Sequence, residues 1–137
     1  MSELGTKRHH ARERALEILY EASIKARSTV VVLNGLNVRP DPYTVEILVS
    51  AEANQERANA LISEFAIDWP LERIALVDRL VMTLAVGEML MDEAPPMAVI
   101  LDEAVELAKV YSTDSSPSFV NGVLSSIAEN ILNSPQE

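Results

Sequence analysis

A chain of 137 residues, 48% of them hydrophobic, has room for one domain with a sizeable core and not for two. It contains no cysteine, which excludes a disulfide framework, a thiolate-held zinc or iron–sulfur centre and a thiol nucleophile. A formal net charge of −10 excludes whole-molecule attraction to nucleic acid or anionic lipid, so any such contact has to come from a local patch.

The first helix is expected from about Lys7 to Ala26, with Ala11, Ala15, Ile18, Leu19, Ala22 and Ala26 on one face at helical spacing. Its start is crowded with Lys7, Arg8, His9, His10, Arg12 and Arg14. Basic charge at a helix N-terminus opposes the macrodipole, which points to function more than to packing. Arginine offers a bidentate fork to phosphate, and histidine can stack or charge. The plain alternative is a solvated helix end. Up to Arg27 the local charge balance is +2, whereas the remainder carries −12.

Thr29 to Leu36 reads as a short helix, although Val30-Val31-Val32 is also compatible with a strand. Asp41-Pro42 has the form of an N-cap followed by a first-turn proline and predicts a long helix to about Phe65. Val45, Leu48, Val49, Ala58, Leu61 and Ile62 form its inward set. Pro70 is expected to open the next helix, which is apolar nearly all round (Leu80, Val81, Leu84, Ala85, Met89, with Leu76, Met82 and Val86 on other faces) and therefore central. Pro95-Pro96 is expected to end it. Met97 to Tyr111 is amphipathic, with Leu101, Ala104, Leu107, Ala108 and Tyr111 inward. Ser115-Ser116-Pro117 restarts the chain for a last helix, in which Phe119, Val123, Ile127 and Ile131 repeat every four residues, shadowed by Val120, Leu124, Ala128 and Leu132. Gly122 inside that helix is expected to mark a close helix crossing. These elements make an all-α fold of about six or seven helices.

The inventory for catalysis is thin. His9 and His10 are neighbours and point about 100° apart on a helix, so they cannot share one metal. Asp102, Glu103 and Glu106 follow a polar stripe and read as a solvated face. The four glycines are isolated, so there is no phosphate-binding glycine loop. The expectation is no enzyme, no cofactor and no metal. The run Ser112 to Gly122, rich in hydroxyls, leads into a helix start, where N–H groups can meet anions; on physical grounds alone a capped helix–helix turn is the better explanation. The most apolar uncharged runs, Leu80 to Gly87 and Ala94 to Leu101, are far short of the roughly 18 residues of a membrane span. No apolar stretch of the secretory type follows the basic N-terminus, and a cytoplasmic location is expected.

Three blocks resemble the NusB family of transcription antitermination factors: Arg8-His9-His10-Ala11-Arg12-Glu13-Arg14-Ala15-Leu16 with Leu19-Tyr20; Trp69 through Asp78-Arg79 to Glu88-Met89-Leu90; and Asp102 to Lys109, then Ser112 and Phe119-Val120-Asn121-Gly122-Val123-Leu124. The resemblance implies two small packed helical bundles in a single domain over 1–137, divided at about 7–66 and 67–133. It also implies a factor that pairs with the small-subunit ribosomal protein NusE and binds boxA RNA, within the RNA polymerase antitermination complex, during ribosomal RNA transcription. By matched position the RNA surface would include Lys7, Arg8, His9, His10, Arg12, Ser115, Ser116, Ser118 and Phe119. Tyr20 and Asp78 would face NusE from one exposed patch. His9-His10 stand where the family usually has arginines, Thr83 and Ser118 where a basic residue is common, and Gly87 where an aromatic one is. With ordinary imidazole pKa values near 6.5, His9 and His10 would make RNA affinity fall as pH rises. This depletion keeps a second reading open, an interaction module that retains the NusE surface with little RNA affinity. NusB-like domains also occur fused to ribosomal RNA methyltransferases, but no nucleotide-binding glycine motif follows here. A homodimer hiding the basic face is compatible with the sequence.

Overall fold

Seven α-helices and one 3-10 turn make up the regular structure of the computed structural model, which describes residues 2–134. They are α1 (Glu3–Ile24), α2 (Thr29–Asn34), α3 (Pro42–Ala53), α4 (Gln55–Phe65), the 3-10 turn (Leu71–Arg73), α5 (Leu76–Met89), α6 (Met97–Tyr111) and α7 (Ser116–Asn133). There is no strand among the described residues, and Thr29–Asn34 resolves the ambiguity of the valine run as helix. No helix among them is long and apolar enough to cross a membrane.

The first helix starts a turn earlier than its apolar pattern suggests. Ser2 caps it by accepting from the Gly5 N–H at 2.9 Å, and Glu3 occupies the dipole-favoured first turn. The basic cluster consequently lies in the second and third turns, clear of the helix end, and its conflict with the macrodipole disappears. At the other end Ala26 adopts φ 52° and is exposed, not inward.

The long helix expected from Pro42 to Phe65 is two. Asp41 caps α3 through the Tyr43 N–H as expected, but the chain breaks at Asn54. The Asn54 amide donates to the Ser50 carbonyl oxygen at 2.8 Å, and the Ser50 hydroxyl leaves its own helix to donate to the Gly87 carbonyl oxygen at 2.6 Å. Side chains of this kind offer the backbone an alternative to the helical ladder. The break lets both halves lie against α5. It also leaves Val49 exposed, contrary to its place in the apolar pattern.

Pro70 opens only the 3-10 turn; Ile74 and Ala75 are extended before α5 begins. Thereafter every residue from Leu80 to Met89 is buried, and α5 packs against α1, α3, α4, α6 and α7. Its centrality follows from having no polar stripe to give to water. α5 ends at Met89, before the proline pair, and Pro96 instead caps α6. Tyr111 and Leu132, expected inward, are exposed ends of their helices. The buried side chains of all seven helices form one continuous aliphatic core.

The close helix crossing is at Gly87, not Gly122. A Cβ on Gly87 would lie 2.8 Å from the backbone of Ala51, whereas one on Gly122 would meet nothing within 4 Å. Gly87→Ala should therefore destabilise by about 1–3 kcal/mol as α3 is forced off α5. Gly122→Ala should stabilise by about 0.5–1 kcal/mol through backbone entropy alone. Paired denaturant melts check both, and a stabilising Gly87→Ala would contradict the crossing.

Candidate nucleic-acid and partner interface

The second and third turns of α1 meet α3, α5 and α6, and the junction is organised by carboxylates. Glu88, 2% exposed on α5, accepts from Arg12 Nε at 2.9 Å and Nη2 at 2.6 Å, and from the Tyr43 hydroxyl at 2.6 Å. Arg12 is itself 5% exposed, and its other nitrogen lies 3.8 Å from Glu103 on α6. Burial, the largest single influence, opposes the guanidinium charge, but the bond to Glu88 and the charges of Glu88 and Glu103 together outweigh it and hold Arg12 above its ordinary pKa. Burial, then the bond to Glu88, pushes the Tyr43 phenol up. Arg12, expected on the RNA surface, is thus a structural cation closed to phosphate, because reaching it would unpair a buried carboxylate.

His9 is also engaged. Its Nδ1 is 2.7 Å from Glu103 and its Nε2 3.5 Å from Glu13. The bond to Glu103 raises its pKa, burial working against this and the charges of Glu103 and Glu13 with it. Glu13 accepts from the Tyr111 hydroxyl at 2.9 Å, which is the main cause of its lowered pKa, and from His10 Nδ1 at 3.2 Å. The ordinary imidazole behaviour expected for both histidines therefore fails for His9. Since its folded pKa lies above the ordinary 6.5, its contribution to stability is complete below that value and is lost as pH rises through the folded pKa. Glu13, held below 4.5, contributes above that value and loses its contribution as pH falls through its folded pKa. The unfolding midpoint should decline as pH rises from about 6.5 through the folded pKa of His9, and His9→Gln should flatten that limb. An unaltered slope in His9→Gln would remove the imidazole from the account.

The exposed members of the cluster are fewer. Lys7 reaches Asp41 at 3.7 Å, His10 is exposed, and Arg14 pairs with Glu17 at 3.4 Å. Arg8 alone among the α1 cations up to Arg14 makes no ion pair among the described residues; its guanidinium lies 4.7 Å from the centre of the Tyr43 ring. In the hydroxyl turn, Ser116 is buried and occupied: its Oγ accepts from the Thr113 N–H at 3.1 Å and donates to the Ser112 hydroxyl at 3.0 Å. The capped turn accounts for Ser112 to Ser116, and Ser116 cannot present itself to RNA. Ser115 and Ser118 are exposed, and Phe119 is half-buried with its ring 6.2 Å from that of the exposed Trp69, edge to face. Tyr111, bonded to Glu13, ties this turn to α1.

Tyr20 and Asp78 do not share an exposed patch. Tyr20 is exposed and, with Leu16, Glu17, Val77 and Tyr111, lines a cavity of about 330 Å³. Asp78 is 6% exposed and turned inward, accepting from the Ser112 hydroxyl at 2.5 Å. Val77, half-buried, rather than Asp78 lies beside Tyr20 in that cavity wall.

The partners Glu88, Glu103, Glu13 and Tyr43 are absent from the sequence-based site. Glu88 carried a usable signal: a carboxylate in the middle of a helix apolar on every face has to be buried, and a buried carboxylate needs a cation.

The NusB family model matches residues 9–129. The chain is 45% identical to transcription antitermination protein NusB of Saccharopolyspora erythraea over 128 residues, covering 88% of this chain and 86% of that one. It is 38% identical to the protein of the same name from Streptomyces coelicolor, covering 89% and 92%. Among solved structures it is similar to T. maritima NusB (TM-score 0.79, 31% identity, covering 89% of this chain and 90% of that one). In fold it also matches a chain from the complex of antitermination factors NusB and NusE with dsRNA (TM-score 0.77, 23% identity, covering 91% and 98%). With blocks of matching sequence from the cationic α1 to the Phe119 turn and an all-helical fold shared over nine-tenths of its length, the chain belongs to the NusB family.

Proposed function

We propose that this chain is a transcription antitermination factor that pairs with the ribosomal protein NusE and, in that pair, binds boxA RNA. The observation that carries this reading is its likeness to antitermination proteins along almost the whole chain, at 38–45% identity. It is supported by an exposed apolar concavity at Tyr20, Val77 and Tyr111, suited to a protein partner, and by side chains open to solvent at Lys7, His10, Ser115 and Ser118. An acidic body speeds docking of a basic ribosomal protein. Arg8 supplies the free fork for phosphate, and Phe119 with Trp69 supplies ring faces for bases.

A second reading has its own support. Carboxylates already hold Lys7, His9, His10, Arg12 and Arg14, so little cationic charge is left for RNA. In that reading the protein is an interaction module for NusE alone. Arg8→Gln distinguishes them. For RNA binding by the pair with NusE, it should weaken affinity and lower the salt slope by about one phosphate contact. An unchanged slope would remove Arg8 from the RNA surface.

A further inference from the structure

Toward the opposite end of α1 from Lys7 and Arg8 lies a cavity of about 190 Å³, enclosed by α1, the α1–α2 turn, the α3–α4 break and the middle of α5. Leu19, Ala22, Ala51 and Leu80 give it an apolar floor. Its walls are polar. Arg27 from the turn and Arg79 from α5 both line it, and neither makes an ion pair among the described residues. Arg8, Arg39, Arg57 and Arg73 likewise make none, so what sets Arg27 and Arg79 apart is that both line one cavity. Thr29, only 7% exposed, adds a hydroxyl that has no hydrogen-bond partner among the described residues yet is not sealed into the core. The amides of Gln55 and Asn59 stand on the same wall.

Two forked cations, a hydroxyl and amide donors are the chemistry that receives a tetrahedral oxyanion. Glu52 contributes the one carboxylate and brings the local charge to +1, which matches a phosphate monoester better than a polyphosphate. We propose that this cavity is a binding site for a phosphate monoester, with Arg27 and Arg79 as its forks and the Thr29 hydroxyl as a third donor. Orthophosphate and the 5′-phosphate of a nucleotide share this chemistry. The site uses none of the residues assigned above to RNA or NusE, so neither reading depends on the other.

Calorimetric titration of the full chain with orthophosphate and with adenosine 5′-monophosphate, at matched ionic strength, tests it. At least one probe should bind with Kd below about 1 mM. Arg27→Gln and Arg79→Gln should each weaken that binding at least about tenfold, while Arg39→Gln, an exposed arginine outside the cavity, should leave it unchanged. Equal affinity for the two probes assigns the site to the free anion, and tighter binding of the nucleotide assigns it to a nucleoside monophosphate. Arg27 lies on an exposed turn, so Arg27→Gln should keep the helical circular dichroism of the wild type and decides even if Arg79→Gln folds poorly. The proposal is overturned if neither probe binds at that concentration, if binding survives Arg27→Gln, or if Arg39→Gln abolishes it.

Discussion

Arg12→Ala is expected to lower the unfolding free energy by about 3–5 kcal/mol. The substitution leaves Glu88 almost wholly buried, with the Tyr43 hydroxyl as its remaining partner and without the cation that pairs with it. Removing one member of a buried pair strands the other, and this asymmetry sets the magnitude. The pair itself need not stabilise the fold relative to an apolar substitute. A triple variant, Arg12→Met with Glu88→Leu and Tyr43→Phe, removes every polar member together and should recover most of the loss. Urea melts measure both, with an unchanged m-value required for the comparison. A single variant as stable as wild type would mean that Glu88 is solvated after all.

Leu84→Ala is expected to cost about 2–5 kcal/mol, the transfer of its side chain plus the cavity left behind. Leu84 is 4% exposed on α5, one turn before Glu88, and a void of about 10 Å³ already separates it from Arg12, Ile100 and Leu107. Ile47 and Val81 close the same space and are held by their own helices, so the site has little freedom to collapse. A loss under about half a kcal/mol would show that α5 is peripheral.

Both expectations rest on α5, whose buried, central place is legible in the sequence although its ends are not. A helix apolar on all faces has one placement, the middle of the core, and the amphipathic pattern of Met97 to Tyr111 likewise predicts α6 end to end. Several of the errors share a cause: they arose where a side chain bonds out of its own helix. The Ser50 hydroxyl, reaching Gly87, and the Asn54 amide split the helix expected from Pro42 to Phe65, and periodicity does not register hydroxyl direction. The same holds for the candidate site. Its cations were legible as a cluster, but which were free was not, because their partners lie far away in the chain: Glu88 for Arg12, Glu103 for His9, Asp41 for Lys7. Asp78 and Ser116 look like exposed polar residues at helix starts, and each is turned inward by a hydroxyl neighbour, Ser112 in both cases. Glycine was similarly misread, since a mid-helix position alone cannot tell the crossing at Gly87 from the open surface at Gly122.

RNA binding as one half of a pair is the behaviour proposed for this acidic protein. Fluorescence anisotropy of labelled boxA RNA at physiological salt, titrated with this protein, with NusE and with their equimolar mixture, tests it most directly. The account predicts weak binding by this protein alone, as expected of a polyanion approaching a chain of net charge −10, and markedly tighter binding by the mixture than by either component. A mixture that binds RNA no more tightly than NusE alone would contradict it.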